Sequence, residues 1–363
     1  MTRSAEMSEH FASYLRRMGL EAVSFDFDKE KPDTLSFELA SFVEQVSRFT
    51  QIKAVNSRQE PLALHVGVTG ELNSNAFADV FDNHHYIGIT LGHFLSSSYF
   101  SIQAFFMTKA FQDIGTAPEN ANYQLELCPE HSFWDLKGAS TIEEFGTVKS
   151  ADRARIFGAY FLTYAMTMLT FHHEFFHIYL GHCPIMNRLG LRGRLLEVGT
   201  ADLPDGPDRI SRSLETVADQ SSIILLIKMI LADHDLPTIG KVTDLSITDR
   251  LRLMLVGAGL QTTSWFAWQK RANLKASSHP DPGARLTHFY CTTKDTLEAL
   301  GQGNLFLEAA SKAMEDLAMI AFRCDDLKST MFSIANGPPR SQSIEKIPPD
   351  IMEMLEEECF RSV

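Results

Sequence analysis

The sequence is short of the features that place a chain in a specialised class. Five cysteines (Cys128, Cys183, Cys291, Cys324 and Cys359) are scattered over 363 residues, and none sits in a CxxC pair. That excludes a disulfide framework and a thiolate zinc site, and it fits a reducing cytoplasm. Glycine and proline, at 21 and 14, are too few for a fibrous chain. There is no internal repeat and no low-complexity tract. Basic residues fall short of acidic ones, 33 against 46, for a net charge of -13. A broadly basic face is thereby excluded, and no nucleic-acid partner is expected. The stretch from Met1 to Glu21 has no apolar core of the signal-peptide kind. No uninterrupted apolar run reaches the roughly 18 residues that suggest a membrane span, so no membrane insertion is expected. The two nearest stretches, Ile156 to Phe171 and Leu253 to Gln269, read as buried helices. The first is short, and the second contains Gln261, Thr262, Thr263 and Ser264.

What is present is a long chain, 44% hydrophobic, which can bury a sizeable core without covalent staples. Its length suggests two domains or one large one. Residues 1–30 read as a loosely docked N-terminal extension. A helical pattern runs from Thr34 to Thr50, with Leu35, Phe37, Leu39, Phe42, Val43 and Val46 on one broad face. The period then changes to that of strands, at Leu62 to Val68, Asn75 to Phe81 and Tyr86 to Thr90, with Asp82 to His85 as a turn. These predict a small, mainly antiparallel sheet of three or four strands. Helices are expected near 92–112, 152–181, 207–233, 245–275, 284–299 and 303–323. Residues 116–150 read as an irregular insertion, 184–206 as a loop, and 336–363 as a tail with a short acidic helix from Asp350. The expected class is α+β, mostly helical, in a single domain over 31–335.

Chemistry concentrates in the segment Phe171 to His182, which contains His173-Glu174-Phe175-Phe176-His177, an HExxH motif. Residues four apart on a helix share a face, with Cβ atoms about 5–6 Å apart. Two imidazoles so placed can both reach a Zn²⁺ at roughly 2.0–2.1 Å. Glu174 lies about 100° round the helix from His173, bordering the ligand stripe, where a base acting on a metal-activated water belongs. A catalytic zinc needs a third protein ligand. His182 follows His173 by nine residues and would point away on a continuous helix. His172 also faces away. Glu215 is the better candidate, because Asp219 shares its helix face and can accept the free N–H of a ligating imidazole. The alternative for that pair is an ordinary solvated helix face. Glu197, in a Gly-rich loop without a paired acid, is a weaker competitor.

Four separated pieces, taken in order, resemble the gluzincin-type zinc metallopeptidases. The pattern is most similar to the CAAX prenyl proteases, the heat-shock membrane proteases and their soluble relatives. Asn75-Ala76-Phe77-Ala78 resembles the NAFA strand and His173 to His177 the zinc helix. Glu215 to Asp219 is similar to the ExxxD helix, and Ser278 to Leu286 to the HPxxxxRL segment. The end of the zinc helix, through His182, also resembles that of soluble phage-exclusion and phage-regulatory peptidases.

The resemblance implies a zincin-like domain with one Zn²⁺ held by His173, His177 and Glu215. It makes Glu174 the general base, His279 an oxyanion donor, and Asp219 and Arg285 organisers of the site. It also implies that Asn75, Ala76 and Phe77 present backbone to a peptide that adds as a strand. The chain departs from the membrane members in lacking spanning helices. The expected activity is that of a soluble, cytoplasmic zinc endopeptidase, in which Glu174 activates a zinc-bound water against a protein or peptide substrate. Two other readings stand beside it. One is a catalytically inactive, zinc-stabilised interaction module on the same fold. The other is an all-helical protein with a chance HExxH.

Overall fold

Near residue 91 the side-chain period changes from that of strands to that of helices, and the architecture changes with it. A computed structural model describes residues 4–5, 9–21, 23, 25–26, 55–56, 59–71, 73–106, 108–116, 152–188, 194–196, 205–232, 245–271, 282–322, 324–325 and 327–328. The expected helix over 34–50, most of the insertion at 116–150, Glu197, His279 and the 336–363 tail lie outside the described residues.

The sheet is built from β3 (Leu64–Thr69), β4 (Ala76–Phe81), β5 (His84–Thr90) and β6 (Arg194–Leu196), in the order β3-β5-β4-β6. The β4–β5 hairpin turns on Asp82 and Asn83 alone, at φ 50° and 61°. Two successive left-handed residues match the strand twist, and Asp and Asn tolerate them. His84 and His85 therefore belong to β5 and not to the turn. The β4–β5 and β4–β6 pairings are antiparallel, but β3 runs parallel to β5. This corrects the mainly antiparallel expectation to a mixed sheet. The chain after β3 crosses to the far side of β5 before β4 begins. Thr90 Oγ1 holds that crossing by donating to the carbonyls of Asn73 and Asn75. The sheet also sets aside the all-helical reading.

Gly88 of β5 sits opposite Phe77 of β4, where an added Cβ would overlap the Phe77 ring. Phe77 is itself buried, so the ring has nowhere to retreat. Gly88→Ala is expected to cost about 1–3 kcal/mol through overpacking. Urea unfolding of wild type and variant checks this; an unchanged midpoint would contradict the contact.

Two short strands, β1 (Ser4–Ala5) and β2 (Phe25–Asp26), pair antiparallel, with α1 (Glu9–Arg17) between them in sequence. Phe11, Tyr14 and Leu15 of α1 are buried with Phe77 and Tyr86 of the sheet. Each such side chain is worth roughly 1.5–3 kcal/mol on burial, and Tyr14 Oη donates to Asp79 Oδ2 at 2.6 Å. This helix is docked, contrary to the loosely attached start expected from sequence.

The helical part comprises α2 (Leu91–Phe106), α3 (Arg153–Tyr179), α4 (His182–Arg188), α5 (Asp205–Ala232), α6 (Ile247–Arg271), α7 (Pro282–Ala299) and α8 (Gly303–Ala321). Most of α4, all of β6 and the first residues of α5 fall in the stretch read as a loop over 184–206. α3 is the central element, packed on α2, α5 and α6 and on strands β4 and β5. Its burial explains the apolar run over 156–171. Among the described residues, no helix is long and apolar enough to cross a membrane. Asp152 caps α3, accepting from Ala154 N–H at 2.8 Å. One turn into the helix, the buried Arg155 donates to the carbonyls of Phe105, Ala110, Phe111 and Ile114. The start of α3 is thus locked to the end of α2.

Candidate metal centre

The second half of α3 carries the HExxH residues, and a polar network fixes its depth just before them. Thr170 Oγ1 lies 3.0 Å from His93 Nε2, and His93 Nδ1 lies 3.2 Å from Ser74 Oγ. Gln261 of α6 donates to the same Thr170 hydroxyl. Burial lowers the His93 pKa to about 4, so this ring is a neutral connector between α2 and α3.

One turn later the side chains converge. His173, His177 and Glu215 are all buried, and one ligand-type atom from each lies within 4.8 Å of the others. His173 Nε2 is 3.0 Å from Glu215 Oε2 and 2.9 Å from His177 Nε2. His177 Nε2 is 3.5 Å from Glu215 Oε1. The convergence comes from α3 packing against α5. Each helix contributes an i, i+4 pair on its facing stripe: His173 and His177 from one, Glu215 and Asp219 from the other.

The other ring nitrogens decide what this arrangement needs. His173 Nδ1 lies 2.9 Å from Asp219 Oδ1. An ionised carboxylate only accepts, so Nδ1 carries the proton and the neutral ring turns its Nε2 lone pair inward. That lone pair meets a carboxylate oxygen and a second imidazole Nε2. A single proton can lie along only one of these contacts, whereas a cation among them satisfies all three. Tetrahedral ligands at zinc-like bond lengths sit about 3.3 Å apart, and the observed 2.9–3.5 Å separations bracket that value. The residues present therefore fit a metal ion.

Asp219 is held in turn by Arg285 of α7, whose Nε donates to Oδ2 at 2.8 Å and whose terminal nitrogen donates to Oδ1 at 2.6 Å. Burial pushes the Asp219 carboxyl up, but the Arg285 guanidinium and the His173 ring outweigh it and hold it well below the usual carboxylate range. The carboxylate stays charged and keeps the His173 tautomer fixed.

His182 packs after Gly181, as the sequence suggests, but it also reaches a ring of the site. The α3 helix stops at Tyr179, and Gly181 takes φ +73° with its N–H bonded to the Ile178 carbonyl. That left-handed residue reverses the chain, as glycine after a helix commonly does. It brings His182 Nδ1 to 2.9 Å from His177 Nδ1. His182 is completely buried, and burial together with the neighbouring His177 holds its pKa well below the usual value. It is not among the three converging side chains; it contacts the ring of one of them. Losing such a support typically lowers metal affinity about 10–100-fold. His182→Ala is therefore expected to release metal at correspondingly lower chelator concentration, with competition titration as the measurement.

Glu174 is 1% exposed, and its carboxylate is close enough to Cys183 to act on that thiol. Burial pushes the Cys183 thiol up, and the nearby Asp79 and Glu174 carboxylates push it further. His172 is buried without a hydrogen-bond partner among the described residues, and burial lowers its pKa to about 3. It is a neutral core ring, away from the ligand stripe.

Asn75, Ala76 and Phe77 enter and begin β4. Asn75 is tied inward, its N–H donating to Thr90 Oγ1 at 3.0 Å. The outer edge of β4 carries β6, in register Phe77 to Leu196, Ala78 to Leu195 and Asp79 to Arg194. At Phe77 the edge where a peptide would add is thus paired with the chain's own strand. Compared with known proteins, the chain matches no family model, no curated protein and no solved structure.

Proposed function

We propose that this chain is a zinc-dependent endopeptidase acting on a protein or peptide substrate. One observation carries the reading: His173, His177 and Glu215 converge in a buried site, each histidine oriented from behind by Asp219 or His182. Two imidazoles and one carboxylate, with a further position left for water, form the ligand set of catalytic zinc. When bound, zinc supplies Lewis acidity that acidifies water and polarises a scissile carbonyl.

The chain's own residues do the rest. Glu174, adjacent to His173 and buried, takes a proton from the attacking water and passes it to the leaving amine. Asp219 and Arg285 keep His173 in the tautomer that points its Nε2 inward. By resemblance His279 donates to the oxyanion of the tetrahedral species, where negative charge develops. Asn75 and Ala76 precede the β6-paired segment, and a peptide adding as a strand at Phe77 displaces β6. That self-pairing is also the one observation favouring the alternative, a catalytically inactive interaction module stabilised by the same metal.

Comparing cleavage products from cells expressing wild type or Glu174→Gln tests the choice. An endopeptidase gives new protein termini with the wild type only. Identical termini in both, with metal retained, would leave the interaction module.

A further inference from the structure

A second group of imidazoles is assembled where α1 lies over the sheet. His10 of α1, His65 of β3 and His84 of β5 each bring one ring nitrogen within 4.8 Å of the others. His65 Nε2 is 2.9 Å from His84 Nδ1. The His10 ring stacks on both, with centroids 4.5 Å from His84 and 5.1 Å from His65. His10 is exposed and the other two are half-buried, so the cluster is reachable from solvent.

One hydrogen bond accounts for the His65–His84 pair. It does not account for a third imidazole brought in from another element to the same point. Burial, with the neighbouring His84 and His10 rings, lowers the His65 pKa to about 4, so that ring is a neutral imidazole with a lone pair to offer. Neutral imidazoles are ligands for zinc, copper and nickel ions and poor ones for magnesium or calcium. Three of them, with an open side towards solvent, make a three-histidine site. The three come from elements separated in sequence, so a cation there joins them as a clip.

We propose that His10, His65 and His84 form a second, surface site for a zinc-class divalent transition metal, and that the bound metal fastens α1 to the sheet. The helix it fastens already rests on β4 and β5 through Tyr14, which bonds Asp79 and stacks on Tyr86 with centroids 4.1 Å apart. The site shares no residue with the buried centre and does not depend on the endopeptidase reading.

The test uses the full chain, stripped with chelator, dialysed to equilibrium against Zn²⁺ and counted by atomic emission. Wild type is expected to bind one more metal per chain than His10→Ala/His84→Ala, and likewise one more than His173→Ala/His177→Ala. The two losses are separate, so failure of one site is distinguishable from failure of the other. His10 is exposed, so the single His10→Ala variant is expected to keep its fold, with circular dichroism as the control. Hydrogen exchange gives a second readout. At Zn²⁺ a hundred times above Kd, linkage slows local opening of α1 about 100-fold. His10→Ala, which keeps the buried centre, loses that protection. Equal metal counts in wild type and His10→Ala/His84→Ala would overturn the proposal. So would α1 exchange unmoved by Zn²⁺; either result leaves a hydrogen-bonded histidine pair beneath a stacked third ring.

Discussion

On the proposed endopeptidase reading, Glu174→Gln is expected to hold metal at the wild-type stoichiometry and to cleave substrate about 10²- to 10⁴-fold more slowly, the usual worth of a general base. Glutamine keeps the shape of glutamate and can still hydrogen-bond, but it cannot take up a proton. Glu174 follows His173 directly, so it leaves the helix about 100° round from it, and it is not one of the atoms that converge on the metal position. Removing its basicity should spare the ligand set. His177→Ala is the informative partner variant, because it should lose metal and activity together. Single-turnover cleavage and metal analysis on the same preparations separate the cases. Wild-type rates from Glu174→Gln would sink the proposed chemistry. Metal lost from that variant would instead make Glu174 a ligand.

The second large effect concerns Asp219. This carboxylate is 2% exposed and bonds both His173 and the equally buried Arg285. Asp219→Ala strands a buried guanidinium and should cost about 3–5 kcal/mol of stability. It should also loosen His173 and lower metal affinity about 10–100-fold. Replacing both partners, as Asp219→Ala/Arg285→Met, should recover much of the stability, since no uncompensated charge remains. It should not recover the metal affinity, because the Nδ1 proton of His173 still lacks its acceptor. Urea unfolding of the metal-free proteins together with metal competition tests both halves. Additive losses in the double variant would show that the pair does not act as a unit.

Acid should act through the same residue. The folded Asp219 pKa is depressed, below an unfolded value of about 3.9. Its stabilising contribution is complete above the unfolded pKa and fades as pH falls through the folded one. The stability gap between metal-free wild type and Asp219→Ala should therefore narrow only below about pH 4.

Much of the centre was legible because it is local. Helical spacing places His173 beside His177 and Glu215 beside Asp219 on their respective stripes, whatever surrounds them. The apolar run over 156–171 likewise announced a buried helix. Spacing left open whether Glu215 and Asp219 face solvent or the histidine pair, since both arrangements satisfy one helix equally. The packing of α3 on α5 turns both towards His173. Burial then makes the pairing obligatory, because a lone carboxylate inside the protein costs several kcal/mol. His182 was expected to pack after Gly181 and not to join the ligand stripe, and it lies outside the converging group; its contact with His177 was not foreseen, because nine residues on a continuous helix point away. The left-handed Gly181 breaks that continuity.

The sheet shows the same division. Its strands follow from alternation, and its hairpin from Asp82-Asn83. The parallel partner of β5 and the strand laid along β4 are pairings at long range. So is the meeting of His10 with His65 and His84. The sequence by itself determined the class of elements, the HExxH spacing and the facing of each pair on its own helix, because backbone dihedrals fix those distances. Only the tertiary structure decided which faces meet, which strands pair and which histidines stand behind or beside the converging side chains. Those contacts depend on packing and chain reversal across many residues, and no local spacing encodes them.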